Sequence, residues 1–231
     1  MQVVAEKILA VLKFILTTIV YIIYPPLCPV CKEIVDEKNQ ICDDCYKKIF
    51  RLDTEKILPK TLSGVFYITK YREGTRDLLR KLKFNNDLKV LPVLKKILAH
   101  VADNPELKKF LSQVDIATYV PLHQVRFKER GFNQAELIFK DFLVKKNLPV
   151  ENLLIRTKAT PRLFKFTSAE RKKIVQDAFT VVEGKNLQGK KILVVDDIYT
   201  TGATTSACAE VLKNAGAEKI FVLAFASTVK K

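Results

Sequence analysis

The chain has 231 residues, 48% of them apolar and 28% charged, a composition that excludes a disordered tail or a low-complexity fibre and suits one sizeable α/β domain with a small appendage. Its formal net charge is +15, and the whole surplus lies between residues 51 and 191, where thirty Lys/Arg face fifteen Asp/Glu. Such a field disfavours cationic partners and favours polyanions: nucleic acid, an acidic membrane surface or a phosphorylated small molecule. A solvated lysine-rich surface is the plain alternative.

Residues 3–23 are apolar at almost every position and predict a helix. Glu6, Lys7 and Lys13 interrupt the run, leaving Phe14 to Tyr24 as the longest charge-free stretch. A spanning helix needs ~20 such residues, and no small-residue cleavage site follows. The expectation is a helix over 1–24 that packs on the protein's own core or on a partner, with contact at a membrane interface as the other reading.

A zinc-binding lobe and connector are expected over 25–60. Cys28-Pro-Val-Cys31 and Cys42-Asp-Asp-Cys45 are two C-x2-C pairs, and each folds naturally into a knuckle with both thiolates aimed at one centre. Four thiolates close a tetrahedral shell around Zn2+ and leave no position for water, so the metal is expected to be structural. Redox-active disulfides are the alternative. The fifth cysteine, Cys208, reads as a small core residue, and the pattern as a whole fits a reducing cytoplasm.

The remainder, 61–231, alternates strand and helix signals. GVFYITKY (64–71) predicts a strand and TRDLLRKLKF (75–84) a helix, with Leu78, Leu79 and Leu82 inward and Arg72, Arg76, Arg80 and Lys83 along one stripe. A helix over 88–101 follows, then a buried strand at DIATYVP (115–121). Asn133 with Glu136 predicts a helix start. AFTVV (178–182) reads as a short, edge-type strand. KILVVDD, ATTSACAEVLKNAGA and KIFVLAFAS then form a strand, a helix closed by Gly216, and a strand, a βαβ unit that implies a mostly parallel sheet flanked by helices. Ligands of such sheets sit at the carboxyl ends of the strands, where Asp196 and Asp197 fall.

The segment VVDDIYTTGATTSA has the ingredients of a phosphate site: a glycine that admits close backbone approach, threonine hydroxyls, and the free N–H groups and positive dipole end of a helix. Carboxylates beside it would repel phosphate, so they suit sugar hydroxyls, met directly or through hydrated Mg2+. A ribose 5-phosphate satisfies both halves. Walker and dinucleotide glycine motifs are absent.

This stretch resembles the phosphoribosyl-pyrophosphate loop of type I phosphoribosyltransferases. The resemblance implies that Asp196 and Asp197, the candidate catalytic pair, contact the ribose hydroxyls and that Thr200, Thr201, Gly202, Ala203 and Thr204 wrap the 5-phosphate. YVPLHQVRFKERGFNQAELI (119–138) and the paired C-x2-C together are similar to the ComF/GntX family, which joins a zinc-binding lobe to a phosphoribosyltransferase-like domain and whose members in competent bacteria act in DNA uptake. The same resemblance makes the turn after the 115–121 strand a pyrophosphate site, with Arg126, Arg130 and His123 as contacts; a solvated charge and a plain turn residue are the competing readings. Within 156–179 the chain departs from the family rhythm, with Leu163 where a glutamine is usual and Ile174 where an asparagine is.

The basic middle has a second reading. The stripe of Arg72, Arg76, Arg80 and Lys83 could meet diphosphate, nucleic-acid backbone or solvent, and the loop from Arg156 to Lys173 interleaves Arg162, Lys165, Arg171 and Lys172 with Phe164 and Phe166, the ingredients of single-stranded DNA binding, with buried phenylalanines as the plain alternative. Two functions follow: a binding module that holds phosphoribosyl pyrophosphate and single-stranded DNA in DNA uptake, or an active phosphoribosyltransferase that displaces pyrophosphate at ribose C1 onto an unidentified acceptor. Either is expected in the cytoplasm, with the amino-terminal helix available to the inner membrane or to a partner of the competence machinery.

Overall fold

The computed structural model describes residues 2–36, 41–49, 53–54, 59–161 and 166–228, in two compact units, Met1–Lys48 and Ile49–Lys231. The first unit opens with α1 (Gln2–Ile23), whose apolar residues leave no breaker until Pro25 and Pro26. Large side chains along it, Leu9, Phe14 and Ile22 among them, are exposed rather than seated in a core. Among the described residues no helix is long and apolar enough to cross a membrane. Tyr21 Oη at the end of α1 donates to Val35 O at 3.4 Å, tying it to the cysteine lobe, which ends in α2 (Asp43–Ile49).

The second unit is built on a five-stranded sheet. Its strands in chain order begin with β1 (Asp53–Thr54) and β2 (Gly64–Lys70), after which come α3 (Glu73–Phe84), a 3-10 turn, α4 (Leu91–Val101) and α5 (Pro105–Leu111). β3 (Ile116–Tyr119) leads into α6 (Gln124–Arg130) and α7 (Gln134–Lys145); β4 (Leu154–Arg156), α8 (Ser168–Val175) and β5 (Phe179–Val181) follow. β6 (Lys191–Tyr199), α9 (Ala203–Asn214) and β7 (Lys219–Ser227) complete the chain. The spatial order is β1-β2-β7-β6-β3, parallel throughout except for the two-residue β1.

Both faces of this sheet are covered, which is why β6 and β7 read as continuous apolar runs. Alternation divides them. Ile192, Val194, Ile220, Val222 and Ala224 pack with Cys208, Ala209 and Leu212 of α9 and with residues of β4 and β5. Leu193, Val195, Phe221, Leu223 and Phe225 point the other way, where Phe139 of α7 meets Phe225 at 6.4 Å between ring centroids and Phe110 of α5 meets Phe221 at 5.6 Å.

Several elements differ from expectation. The 178–182 strand is not on the edge of the main sheet; it pairs antiparallel with β4 in a separate two-stranded sheet. β4 carries no readable period in three residues. The charged stretch read as a loop after Arg156 contains α8, whose start is fixed by a capping box in which Thr167 and Glu170 bond each other's backbone N–H. Asn133 caps α7 through the Ala135 N–H at 3.0 Å, and its own amide donates to Val120 O at 2.9 Å, tying the helix to the end of β3.

Candidate functional site

In the first unit, Lys32 at φ 72 turns the chain between the donors, and the Lys32 N–H bonds Cys28 O at 3.0 Å, closing the first knuckle. The four sulfurs of Cys28, Cys31, Cys42 and Cys45 lie within 4.8 Å of one another, with Cys31 Sγ and Cys42 Sγ 3.6 Å apart. Zinc–sulfur bonds of ~2.3 Å place tetrahedral sulfurs roughly 3.8 Å apart, so the donor set fits one Zn2+ with a closed shell. The four thiols differ in how readily they lose a proton. Burial raises the Cys28 thiol, but backbone N–H groups of Cys42, Cys31 and Val30 outweigh it and bring it down to about 6, while burial and the neighbouring thiols push Cys45 well up. Four thiolates crowd together stably only around a metal. Cys208 is fully buried in the second unit beside α9's core residues.

The second unit carries a cleft of about 880 Å³ at the carboxyl ends of its parallel strands. Strand order explains what meets there: α3 follows β2, the threonine loop follows β6, α6 follows β3, and Arg156 ends β4. Among the described residues lining it are seven cations, Arg76, Arg80, Lys83, Arg126, Arg130, Arg156 and Arg171, against two carboxylates, Asp196 and Asp197.

Those two carboxylates are not equivalent. They lie within β6 rather than at its end, and alternation sends them to opposite faces of the sheet. Asp197, 7% exposed, continues the face of Leu193 and Val195 toward α3, where Lys83 Nζ donates to its Oδ2 at 2.9 Å and its Oδ1 at 3.4 Å. Burial raises the Asp197 carboxyl, but the Lys83 ammonium outweighs it and holds the group below the usual range. Asp196 continues the face of Ile192 and Val194 toward α9 and β4, and its Oδ1 accepts the Asp197 N–H at 2.8 Å. Burial, reinforced by the Asp197 charge, pushes Asp196 up to about 7. One acid is thus already engaged by a cation, and the other is poised near neutrality.

The threonine loop follows directly. Gly202 sits at φ 73 as the N-cap of α9, and a Cβ there would stand 2.6 Å from Tyr199 Oη. Only glycine fits both the left-handed backbone and that contact. Gly202 itself offers no side-chain cap, and Thr201 Oγ1 accepts the Ala203 N–H at 3.4 Å; Thr205 Oγ1 donates to Gly202 O at 3.1 Å, and Thr200 Oγ1 accepts from Arg171 Nη1 at 3.3 Å. Thr200, Thr204 and Arg171 line the cleft beside the α9 start, whereas Thr201, Gly202 and Ala203 are not among the residues that line it; hydroxyls, an arginine and the positive end of a helix suit an anion there.

On the β3 side, His123, Arg126 and Arg130 reach the cleft from one short helix, with the two arginines four residues apart on its inner stripe. His123 is also the N-cap of α6, its Nδ1 accepting the Val125 N–H at 3.3 Å. Arg126 Nη1 lies 3.5 Å from Glu129 Oε2, and Arg130 Nη1 donates to the Gln134 side chain at 2.9 Å. Gly131, at φ 77, ends the helix.

Arg76, Arg80 and Lys83 of the expected nucleic-acid stripe face this cleft, and Lys83 is bonded to Asp197; Arg72 is the N-cap of α3 and does not line it. Arg162, Leu163, Phe164 and Lys165 lie outside the described residues. Sequence reasoning missed Arg156 and Gln134 as cleft residues and read Arg171, which lines the cleft, as a single-stranded DNA contact. Nothing in the sequence separates Gln134 from a solvated amide at a helix start; its burial, at 3% exposed, is set by its neighbours in the fold.

Comparison with known proteins accords with both units. The double zinc ribbon domain family matches residues 19–57 and the phosphoribosyl transferase domain family residues 162–230. "Double" exceeds what this chain can build, since five cysteines supply one four-sulfur site and a buried remainder. Competence protein F of Haemophilus influenzae is 26% identical over 85% of this chain and 82% of its own, and competence protein ComFC of Streptococcus pneumoniae is 28% identical over 84% and 77%. The DNA utilization protein YhgH of Escherichia coli is 25% identical over 88% and 85%. Among solved structures, adenine phosphoribosyl transferase from Trypanosoma brucei aligns with a TM-score of 0.41 and 15% identity, covering 74% of this chain and 73% of that one.

Proposed function

This chain belongs to the ComF family, and we propose that it binds phosphoribosyl pyrophosphate with Mg2+ in the cleft of its second unit and acts in the cytoplasm in the handling of incoming DNA. The observation that carries the reading is the meeting, around one cleft, of Thr200 and Thr204 at the start of α9, two carboxylates on the preceding strand, and the arginines of α6. The 5-phosphate takes the α9 N-terminus with Thr200 and Thr204. The ribose hydroxyls meet Asp196, the carboxylate that would also be available to hydrated Mg2+. Arg126 and Arg130 supply the charge opposite the diphosphate, where planar guanidinium groups bind paired oxygens. Mg2+ when bound would neutralise the diphosphate; the chain's own part is to fix the ribose and meet the two phosphate ends.

The DNA part of the reading is supported by the confinement of the +15 field to residues 51–191 and by the names of the relatives, and it draws on outward groups such as Phe127 and Lys128 of α6, both exposed. Thermal melting with phosphoribosyl pyrophosphate and Mg2+ tests the ligand assignment: the midpoint rises for the native chain and not for Asp196→Asn with Asp197→Asn. A rise that survives the double substitution refutes it. Single-stranded DNA binding is expected to weaken steeply with salt, and its absence at low salt refutes the second part.

Active transfer is a second reading with its own observation. Beyond the phosphate loop the cleft has an apolar wall, Val120, Leu122 and Pro161, that the phosphoribosyl ligand does not require. Release of pyrophosphate dependent on an added acceptor would establish it.

A further inference from the structure

Residues 121–133 leave the sheet after β3 and rejoin the body of the unit at α7, and not one of them is buried, although Val120 and Gln134 on either side are. The segment is pinned at its base, where Asn133 Nδ2 donates to Val120 O at 2.9 Å and Arg130 Nη1 to Gln134 Oε1 at 2.9 Å. Between these points it consists of α6, capped by His123 at one end and ended by Gly131 at the other. The ion pair of Arg126 with Glu129, at 3.5 Å, lies within the segment and does not fasten it to the sheet. A helical arm without a buried side chain stands at the low end of local stability.

The arm has two faces. Leu122, His123, Arg126 and Arg130 line the cleft, whereas Val125, Phe127 and Lys128 do not and are exposed, Val125 at 52% and Phe127 at 50%. An anion in the cleft meets the arm through two guanidinium groups, by charge-assisted bonds about twice as strong as neutral ones. Such an anion binds the docked arm and not a displaced one, and so shifts the population toward the docked form. On the other face a half-exposed aromatic ring beside a lysine suits an unstacked base with its phosphate, and the positive surplus over 51–191 favours a polyanion there. We propose that the outer face of α6 docks single-stranded DNA, and that the diphosphate end of phosphoribosyl pyrophosphate, by fastening α6 from the cleft side, makes the two ligands bind cooperatively. The arm is ordered by whichever ligand arrives first, and the second meets it already in place. Charge acts the other way, since a diphosphate in the cleft cancels part of the field that attracts DNA. A helix with its side chains is about 10 Å across, and at ~0.15 M salt screening sets in over about 8 Å, so ordering outweighs repulsion at that salt and loses ground as salt is lowered. The inference deepens both parts of the proposed function and rests on them.

The test is the anisotropy of a labelled oligothymidylate titrated with the full-length zinc-loaded chain at about 0.15 M salt, with and without phosphoribosyl pyrophosphate and Mg2+. The oligonucleotide is expected to bind about five-fold or more tightly with the ligand present, and calorimetry to return the same factor for the ligand when the oligonucleotide is present. Amide hydrogen exchange of residues 125–131 is expected to slow about five-fold or more on adding phosphoribosyl pyrophosphate alone. Phe127→Ser is expected to weaken the oligonucleotide and bring the coupling below about two-fold, while phosphoribosyl pyrophosphate affinity without DNA stays within about two-fold; Phe127→Leu, which keeps apolar bulk and loses the stacking face, serves if the serine chain melts early. Oligonucleotide affinity that is unchanged or weaker with the ligand, or arm exchange that does not slow, overturns the proposal on the native chain alone. Weaker binding would place DNA phosphates in the cleft itself, and equal binding of polyglutamate would assign the outer face to an acidic peptide and overturn it too. Phosphoribosyl pyrophosphate and DNA that bind without coupling leave the parent reading standing, whereas failure of either to bind at all refutes its part of that reading together with this inference.

Discussion

Replacing Lys83 by methionine keeps the stem of the side chain against α3 and removes only the ammonium that faces Asp197. At 2.9 Å the pair's attraction is about 6 kcal/mol for an effective dielectric constant of about 20. Most of that is offset by the cost of drying the two groups, since Asp197 is 9% and Lys83 28% exposed at the side chain. What the substitution exposes is the cost of a lone buried carboxylate, ~3–5 kcal/mol when fully enclosed and roughly 2–3 kcal/mol once the open side of Lys83 and the option of taking up a proton are allowed for. For a unit of this size each kcal/mol moves the midpoint by about 2–4 °C, so Lys83→Met is expected to melt about 5–10 °C lower at pH 7. The assay is a double-mutant cycle of Lys83→Met, Asp197→Asn and their combination, followed by calorimetry. The combined variant recovers much of the loss because no charge is left buried, giving a coupling of at least ~1.5 kcal/mol. Additivity within ~0.5 kcal/mol would show that the two groups do not interact and would refute the reasoning. Asp197 is held low in the folded state, so its contribution is present above the unfolded value of ~3.9 and fades as pH falls through the folded value; the difference between native and Lys83→Met chains shrinks in acid.

Asp196 has the opposite sign. Its folded pKa, about 7, lies above the unfolded value of ~3.9, so its contribution to stability is fully present below about pH 4 and is lost as pH rises through 7. Ligand binding that needs the carboxylate runs the other way: Mg2+-dependent affinity for phosphoribosyl pyrophosphate rises toward pH 8 and then levels, measured by calorimetry from pH 6 to 8.5, and a flat profile is the adverse result. Gly202→Ala forces a Cβ against Tyr199 Oη in a left-handed backbone, costing about 1–3 kcal/mol and at least ten-fold in phosphoribosyl pyrophosphate affinity; a native-like dissociation constant would show that the loop does not hold the phosphate. Metal analysis should return one zinc per chain, and Cys42→Ser should release it without lowering the melting of the second unit; two zinc ions per chain would contradict the single four-sulfur site.

The βαβ unit at the carboxyl end was legible because both of its strands are buried on two faces and so appear as unbroken apolar runs; β7 falls on the nine residues read for it. The cysteine spacing was legible for a chemical reason, since a knuckle closes over two intervening residues whatever surrounds it. What escaped was whatever depends on tertiary neighbours. β4 is three residues long, so Arg156 gave no sign of entering the cleft. The stripe of Arg76, Arg80 and Lys83 was visible as a stripe, but a helical period does not say whether it faces solvent or a cleft; the packing of Leu78, Leu79 and Leu82 decides that. The two adjacent acids read as a matched pair, and only the observed extension of β6 to Tyr199 shows that pleating separates them.

That separation bears on how the sheet assembles. A strand as uniformly apolar as Ile192–Val195 could pair with β7 one residue out of step at little cost to its hydrophobic contacts. The slip would exchange the faces of the two acids, bringing Asp196 toward Lys83 and turning Asp197 to the α9 side, which Asp196 occupies in the native register. Because the acids are adjacent, either alignment leaves one carboxylate on each face, so the pair gives β6 no preference of its own, and its register is left to the connections that lead into and out of the strand.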